Sequence, residues 1–343
     1  MRSFHVILPA CRVDPALEAV LDGVAALSPA PTGVTLADDG SVERGVSMLA
    51  AARGLRATRE QGDMEPPRGP AAARNHAARQ VIAALGGPGD AAGEAWLVFI
   101  DADVVPEPNV LEALDAAIGA AAEAEVPASG EGRPVVAVLG AYTDQPPHPA
   151  TPSRYANLRH HFMHLTNPGP VSTFWAGLGA VRADAFASVG GFDAAAYPRP
   201  SIEDIELGMR LHAAGGRLVI DPSVRGTHLK KWTHRNLWRT EIRDRAWPWA
   251  RLLRACGDGA RPLNLGRRQQ LSAAAAGLGL LCPPIFWLAE RRFLRFFRRR
   301  HTLAQTLHAA LLHQAHFIYS AVVFVAADLW PLRPPHEDRA PKA

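Results

Sequence analysis

"WLVFIDADVVPEPNVLEAL", residues 96–114, decides the fold class. A short apolar run, Trp96 to Ile100, meets Asp101-Ala102-Asp103, and a proline-marked turn and a helical pattern follow. An apolar run this short, bounded by a turn, reads as a strand covered on both faces. Carboxylates at the end of such a strand are costly unless something cationic pairs with them. Ligands of open α/β sheets sit beyond the carboxyl ends of the strands, which is where this pair stands. A hard divalent cation, Mg²⁺ or Mn²⁺, would satisfy the two carboxylates and hold a diphosphate as well. In isolation the pair also fits a helix N-terminal cap beside a solvated loop acid.

The pattern repeats on either side of this stretch. Apolar runs at 4–8, 33–37, 134–141 and 217–221 alternate with helical patterns at 14–27, 42–54, 70–85, 107–124 and 203–214. Strands that alternate with helices imply an α/β protein with a parallel sheet. Glycine-, proline- and acid-rich pieces at 59–69, 86–94 and 125–134 read as loops, and the alanine-rich 116–132 reads as no more than a surface helix.

Composition sets the outer bounds. The chain has 343 residues, 48% hydrophobic and 20% charged, enough for one large domain or two modest ones. A net charge of +4 gives no reason to expect a nucleic-acid partner. Three cysteines without metal-type spacing predict neither disulfides nor a zinc site and fit a reducing compartment. The opening "MRSFHVILPACR" is too short an apolar run for a signal peptide and reads as a first buried strand.

Past residue 265 the character changes. Residues 271–289 and 302–327 carry no charge, and Arg291, Arg292, Arg295, Arg298, Arg299 and Arg300 crowd between them. Each apolar segment approaches the roughly 20 residues needed to cross a bilayer. Pro283-Pro284 breaks the first, and His308, His313 and His316 interrupt the second. The expectation is that they lie in the membrane surface or re-enter it, with the arginines at anionic headgroups and the second segment the better candidate span. Buried helices of a soluble domain are the alternative.

Five further stretches carry chemistry. In "ADDGS" (37–41), Asp38 and Asp39 follow a strand and could accept hydrogen bonds from a base or ribose, although a plain turn explains them too. In "GPAAARNHAARQ" (69–80), Arg74 falls in the first turns of a helix, where anions are favoured. In "FWAGLG" (174–179), Trp175 offers a flat face for a sugar, and Gly177 and Gly179 allow close approach. In "SIEDIELG" (201–208), Ser201 can cap a helix whose first turns hold Glu203, Asp204 and Glu206, and the dipole there favours an ionised general base. In "THLKKW" (227–232), His228 suits Mn²⁺ and Lys231 can neutralise a leaving diphosphate beside Trp232.

The order of these pieces over about residues 3–233 resembles the family-2 glycosyltransferases of GT-A fold. The resemblance implies a Rossmann-like, mostly parallel sheet with helices on both faces, followed by a C-terminal helical membrane-associated region. It implies that Asp38, Asp39 and Arg74 bind the nucleotide and that Asp101 and Asp103 bind the sugar-nucleotide and metal. Trp175 to Gly179 would face the acceptor, Asp204 with Glu203 beside it would be the base, and His228 would complete the metal site. "HLKKW" is similar to the Q-x-x-R-W motif of processive synthases, with His for Gln and Lys for Arg, a departure that argues against long-chain polymerisation. The tail resembles a bacterial membrane-associated subgroup.

The expected enzyme is a metal-dependent, inverting hexosyltransferase. It takes a nucleotide-diphosphate sugar, a UDP-sugar being favoured, and a lipid- or polyprenyl-linked acceptor at the cytoplasmic membrane. The expected domains are a catalytic domain over 1–265, a helical membrane-associating region over 266–332 and a disordered tail over 333–343. A non-catalytic, membrane-attached nucleotide-sugar-binding protein and a nucleotidyltransferase are the rival readings. The latter lacks its glycine-rich basic signature near the N-terminus.

Overall fold

The structure, a computed structural model, describes residues 2–60, 65–124, 132–256 and 267–329. The chain divides into two compact units, Met1–Gln145 with His164–Leu229, and Pro146–Met163 with Lys230–Ala343. The expected boundary near 265 and the tail at 333–343 lie outside the described residues.

The first unit is built on one sheet. Its strands are β1 (Ser3–Ala10), β2 (Gly33–Asp38), β3 (Arg56–Thr58), β4 (Ala95–Ile100), β5 (Val104–Pro106), β6 (Val135–Tyr142), β7 (Gly169–Val171), β8 (Leu178–Arg182) and β9 (Arg217–His228). Helices α1 (Pro15–Ala25), α2 (Gly45–Ala52), α3 (Pro70–Ala84), α4 (Asp90–Glu94), α5 (Val110–Glu123), α6 (Thr151–Thr166, in this unit only from His164), α7 (Ala183–Ser188) and α8 (Glu203–Ala213) connect them. The strand order is β3-β2-β1-β4-β8-β6-β9-β5, with β7 also on β9. The run β3-β2-β1-β4 is parallel, as the alternating pattern predicts, and so is β6-β9. The short β8 runs antiparallel between β4 and β6, which makes the sheet mixed.

Side-chain alternation along the strands gives the sheet two covered faces. Phe4, Val6 and Leu8 of β1 with Trp96, Val98 and Ile100 of β4 join one core cluster. Leu17, Val20, Leu21 and Val24 of α1 stand at helical spacing and fill that cluster, together with Val110, Leu111, Leu114, Ala117, Ile118 and Ala121 of α5. The alanine-rich end of α5 is thus a surface helix with one face in the core, Ala117, Ile118 and Ala121 being buried while Ala116, Ala120 and Ala122 are exposed. On the other face Phe99 packs edge-on against Phe174 and Phe192 at 6.4 and 5.2 Å, with Phe186 at 5.6 Å. The start of α1 is fixed by Asp14, whose Oδ1 accepts from the N–H groups of Ala16 and Leu17 at 3.1 and 3.0 Å, with Pro15 in the first turn.

The second unit is helical. Most of α6 belongs to it, with α9 (His234–Arg239), a π-helical stretch Thr240–Ala246, α10 (Trp247–Cys256), α11 (Arg267–Leu278), α12 (Pro283–Ala289), α13 (Arg291–Arg298) and α14 (Leu303–Leu329). Tyr155, Leu158, Phe162, Trp232, Leu237, Phe293, Phe297, Ala309 and Leu312 form its main apolar cluster. Beside it Glu241, nearly enclosed, accepts from Arg159 at 2.6 Å, Arg245 at 2.7 Å and the Tyr319 hydroxyl at 2.9 Å. Residues Leu303–Ala327 are, among the described residues, the one stretch long and apolar enough to cross a membrane, with a mean hydropathy of 1.5.

Candidate active site

Strands β2 and β4, parallel to β1 between them, deliver the two acidic pairs to the same end of the sheet. The register aligns Ala10 of β1 with Asp38 of β2, and β4 beside them ends at Ile100, one residue before Asp101. Asp38 turns inward. Its carboxylate accepts from Ser41 N and Oγ at 2.8 and 3.0 Å, from Ser47 Oγ at 2.5 Å and from Arg59 Nη1 at 3.2 Å. Burial works against the charge, but Ser47, Ser41 and Arg59 outweigh it and hold the carboxyl below the usual range. Asp39 is also buried and accepts from the N–H groups of Arg68 and Gly69 at 2.8 and 3.0 Å. It ties the end of β2 to the start of α3. Gly69 is required there: its φ is +94° and a Cβ would stand 2.6 Å from Pro198 O.

Arg74 is enclosed rather than open to a ligand. Its Nη2 donates to Asp101 Oδ1 at 2.5 Å and its Nη1 to Glu203 Oε1 at 3.1 Å, while the guanidinium lies 5.4 Å over the Phe192 ring. Asp101 and Glu203 more than offset the cost of burying this cation and keep it charged. The neighbouring Asn75 both donates to Phe192 O at 2.7 Å and accepts from Phe192 N at 2.8 Å, so α3 also holds the loop after Gly191.

The general-base candidate shares this frame. Asp204 Oδ2 accepts from Ala176 N at 3.1 Å, and Asp101 N donates to Gly177 O at 3.1 Å. Segment 175–177 thus touches both the strand-end pair and the start of α8. Asp204 is pushed up to about 7, first by burial and then by the neighbouring Glu203 carboxylate. Ile202 rather than Ser201 takes the cap position of α8, and Glu203 Oε2 accepts from Ser201 N at 2.8 Å. Glu206 is committed elsewhere, to Arg210 at 2.6 and 2.7 Å. Gly208 lets α8 approach: a Cβ there would stand 2.1 Å from Phe174 N.

Asp103 and His228 form the remaining part. Asp103 Oδ2 lies 3.5 Å from His228 Nε2, and Asp103 O accepts from Leu229 N at 2.7 Å. The His228 ring stacks on Tyr142 at 4.4 Å with planes 3° apart, and Tyr142 meets Trp175 edge-on at 4.8 Å. Trp175 in turn lies over Gly177, where a Cβ would stand 2.5 Å from the indole. Among the described residues no group of three or more His, Cys, Asp or Glu is placed to hold a metal.

The first unit therefore brings together Asp101, Arg74, Glu203, Asp204, Trp175 and Gly177, and next to Trp175 it sets Asp103 and His228. Lys231 and Trp232 belong to the second unit. Trp232 is buried in that unit's apolar cluster with Lys230 Nζ 4.2 Å over its ring, and Lys231 is exposed. Tyr142, Asn75 and Arg59 went unmarked in the sequence. Tyr142 stands one residue past the predicted strand 134–141, which was the available signal.

A curled α/β sheet with carboxylates at the carboxyl ends of its strands and an acid opening a nearby helix defines a GT-A glycosyltransferase. The chain belongs to glycosyl transferase family 2, whose family model matches residues 5–186. Among solved structures it is similar to a mannosyltransferase, PcManGT from Pyrobaculum calidifontis, in complex with GDP-Man and Mn²⁺. That pair has 20% identity and a TM-score of 0.54, covering 94% of this chain and 87% of that one. It is also similar to S. aureus TarS 1-349, with 15% identity and a TM-score of 0.50, covering 95% and 91%. At these identities the likeness is one of fold. No curated protein matches the sequence.

Proposed function

We propose that this family-2 enzyme transfers a sugar, with inversion, from a nucleotide-diphosphate sugar to a hydroxyl or phosphate of a lipid-linked acceptor at the cytoplasmic membrane face. The observation that carries the reading is the shared frame of segment 175–177. Through it the base candidate Asp204 and the strand-end Asp101 are held by adjacent backbone groups. A donor seated at the strand ends and an acceptor at Trp175 would meet beside Asp204.

In the proposed reaction Asp204 takes the proton of the acceptor hydroxyl, whose oxygen attacks the anomeric carbon. The bond from that carbon to the diphosphate oxygen breaks, and the nucleotide diphosphate leaves with the electron pair. A carboxylate poised near 7 suits this task, because base strength and the ionised fraction are then balanced. Asp38 and Asp39 shape the loop that would seat the nucleotide, and a UDP-sugar remains the favoured donor.

The pair Asp103 and His228, 3.5 Å apart, fits Mg²⁺ or Mn²⁺ held by two protein ligands, with diphosphate oxygens and water completing the shell. Such an ion would neutralise charge growing on the leaving group. The Mn²⁺ in the Pyrobaculum mannosyltransferase complex supports this reading. Incubation of the purified protein with a panel of nucleotide-sugars and membrane lipid extract tests the whole proposal. Release of a nucleotide diphosphate that depends on both is expected. Binding without release under every donor and acceptor would leave a sugar-nucleotide-binding protein instead.

A further inference from the structure

Around its apolar cluster the second unit also buries a set of polar side chains and exposes a set of large apolar ones. Ser272, Glu290, Thr306, His313 and Gln314 are buried, all on or beside α11 to α14. All have partners: Glu290 accepts from Ser272 Oγ and lies 3.3 Å from His313 Nε2, His313 Nδ1 lies 3.2 Å from the Tyr155 hydroxyl, Gln314 donates to Ala276 O at 3.1 Å, and Thr306 Oγ1 donates to Thr302 O at 2.8 Å. The outward positions of the same helices are apolar. Leu271, Leu278, Leu280, Leu281 and Leu288 on and between α11 and α12 are exposed, Leu281 by 90%. On α14, Leu303, Leu307, Leu311, Val322, Val325 and Leu329 are all exposed. At 3.6 residues per turn these six fall within an arc of about 100°, with the exposed Phe324 about 60° to one side of it. Water gives no reason for leucine to face out while glutamate and glutamine face in; a hydrocarbon surround does.

Two observations fix the kind of occupant. Arg291, Arg292, Arg295, Arg298, Arg299 and Arg300 are exposed on and just after α13, whose Phe293 and Phe297 face inward. A cationic stretch set between apolar helices matches an anionic headgroup layer over acyl chains. The helix α14 is also covered along its length on its other side. Ala309 and Leu312 pack into the main cluster near its start, and Val323 and Ala327 pack against Ala250 near its end. A helix with one face on its own unit and a stripe of leucine and valine on the other suits a position along the membrane surface.

We infer that the second unit is a monotopic membrane-docking surface. The leucines of α11–α12 and the exposed stripe of α14 sit among acyl chains of an anionic bilayer, and the arginines of residues 291–300 sit at its headgroups. The inference deepens the lipid-linked acceptor proposed above, but its test needs neither donor nor acceptor. Failure of docking would therefore leave glycosyl transfer standing, and failure of transfer would leave docking standing.

The experiment is flotation of the full chain, purified in mild detergent and dialysed against vesicles. Vesicles of phosphatidylcholine alone are compared with vesicles that also contain phosphatidylglycerol. Flotation is expected with both, at least about tenfold stronger with the anionic lipid at low salt. Leu280→Glu/Leu281→Glu and Leu307→Glu/Leu311→Glu should each lower vesicle partitioning at least about tenfold at any salt, since both pairs are solvent-facing and leave the fold intact by circular dichroism. Unchanged flotation of these variants would overturn the inference. So would a detergent-free soluble dimer that the same substitutions separate, because a second copy would then cover the face. A tag added after Ala343 should be wholly cleavable by protease outside the vesicles when uncut protein is added from outside. A protected fraction would mean that α14 crosses.

Discussion

In the first unit Val6, Leu8, Val98 and Leu17 are enclosed while Asp101 and Asp103, each with a side chain 34% exposed, stand at the strand ends. In the second, Glu290 and Gln314 are enclosed while Leu281 and Leu329 face outward, the latter 78% exposed. At these positions the first follows the ordinary aqueous rule, in which apolar area is removed from water and charge is left near it, although Asp38, Asp39, Arg74 and Glu203 are enclosed with partners. At these positions the second departs from that rule, as the proposed docking in a surround that offers no hydrogen bonds would require. The contrast is what the proposals of transfer in one unit and membrane docking in the other predict, and each substitution below asks whether that division holds.

The largest expected effect is at Glu241. Glu241→Ala leaves Arg159 without its 2.6 Å partner beside a buried tyrosine, and losing one member of a buried pair costs about 3–5 kcal/mol. Thermal unfolding of the second unit should move down accordingly while nucleotide-sugar binding persists. A donor-binding loss of equal size would mean that the two units do not divide the work.

Next comes Asp204→Asn, which should lower turnover by about 10²-fold or more with donor affinity nearly kept. In the unaltered protein turnover should rise with pH through about 7 as Asp204 ionises. The sign for stability is opposite. A carboxyl raised in the fold to about 7 favours its protonated form, so its contribution is present at low pH and is lost as pH rises through about 7. The asparagine variant should therefore lose less stability than the parent between pH 5 and 8. Turnover that stays constant across that range would remove Asp204 from the base role.

Asp103→Ala should weaken Mn²⁺-dependent donor binding by about 10-fold or more, read by calorimetry with and without the ion. Equal affinities in both proteins would sink the ion site. The smallest effect is Asp14→Ala, which removes the cap of α1 and should cost about 1 kcal/mol in denaturant unfolding of the first unit, with vesicle flotation unaltered.

Much of the sheet was legible because β1, β2, β4 and β6 are apolar runs bounded by turn residues. β8 was not: "LGAVR" is five residues with an internal glycine, and it is held only by neighbours far along the chain. α6 escaped for a related reason. Its buried face includes Ser153 and Asn157, so its sequence shows little apolar periodicity. At the site, Asp101, Asp103, Asp204 and His228 could be picked out as acids and a base at element ends. The burial of Arg74 could not, since its partners Asp101 and Glu203 lie 27 and 129 residues away. A helical arginine near an N-terminus looks solvated until the tertiary fold closes over it.

The stack of His228 on Tyr142, with Trp175 set edge-on to the same phenol, also has an optical consequence. An indole, a phenol and an imidazole stand in line at 4.8 and 4.4 Å, the last of them facing Asp103. Charge arriving at the imidazole changes the electric field across both neighbouring chromophores. The emission of Trp175 should therefore shift in intensity if the imidazole takes the proposed cation, which would make the indole a built-in dye for that binding.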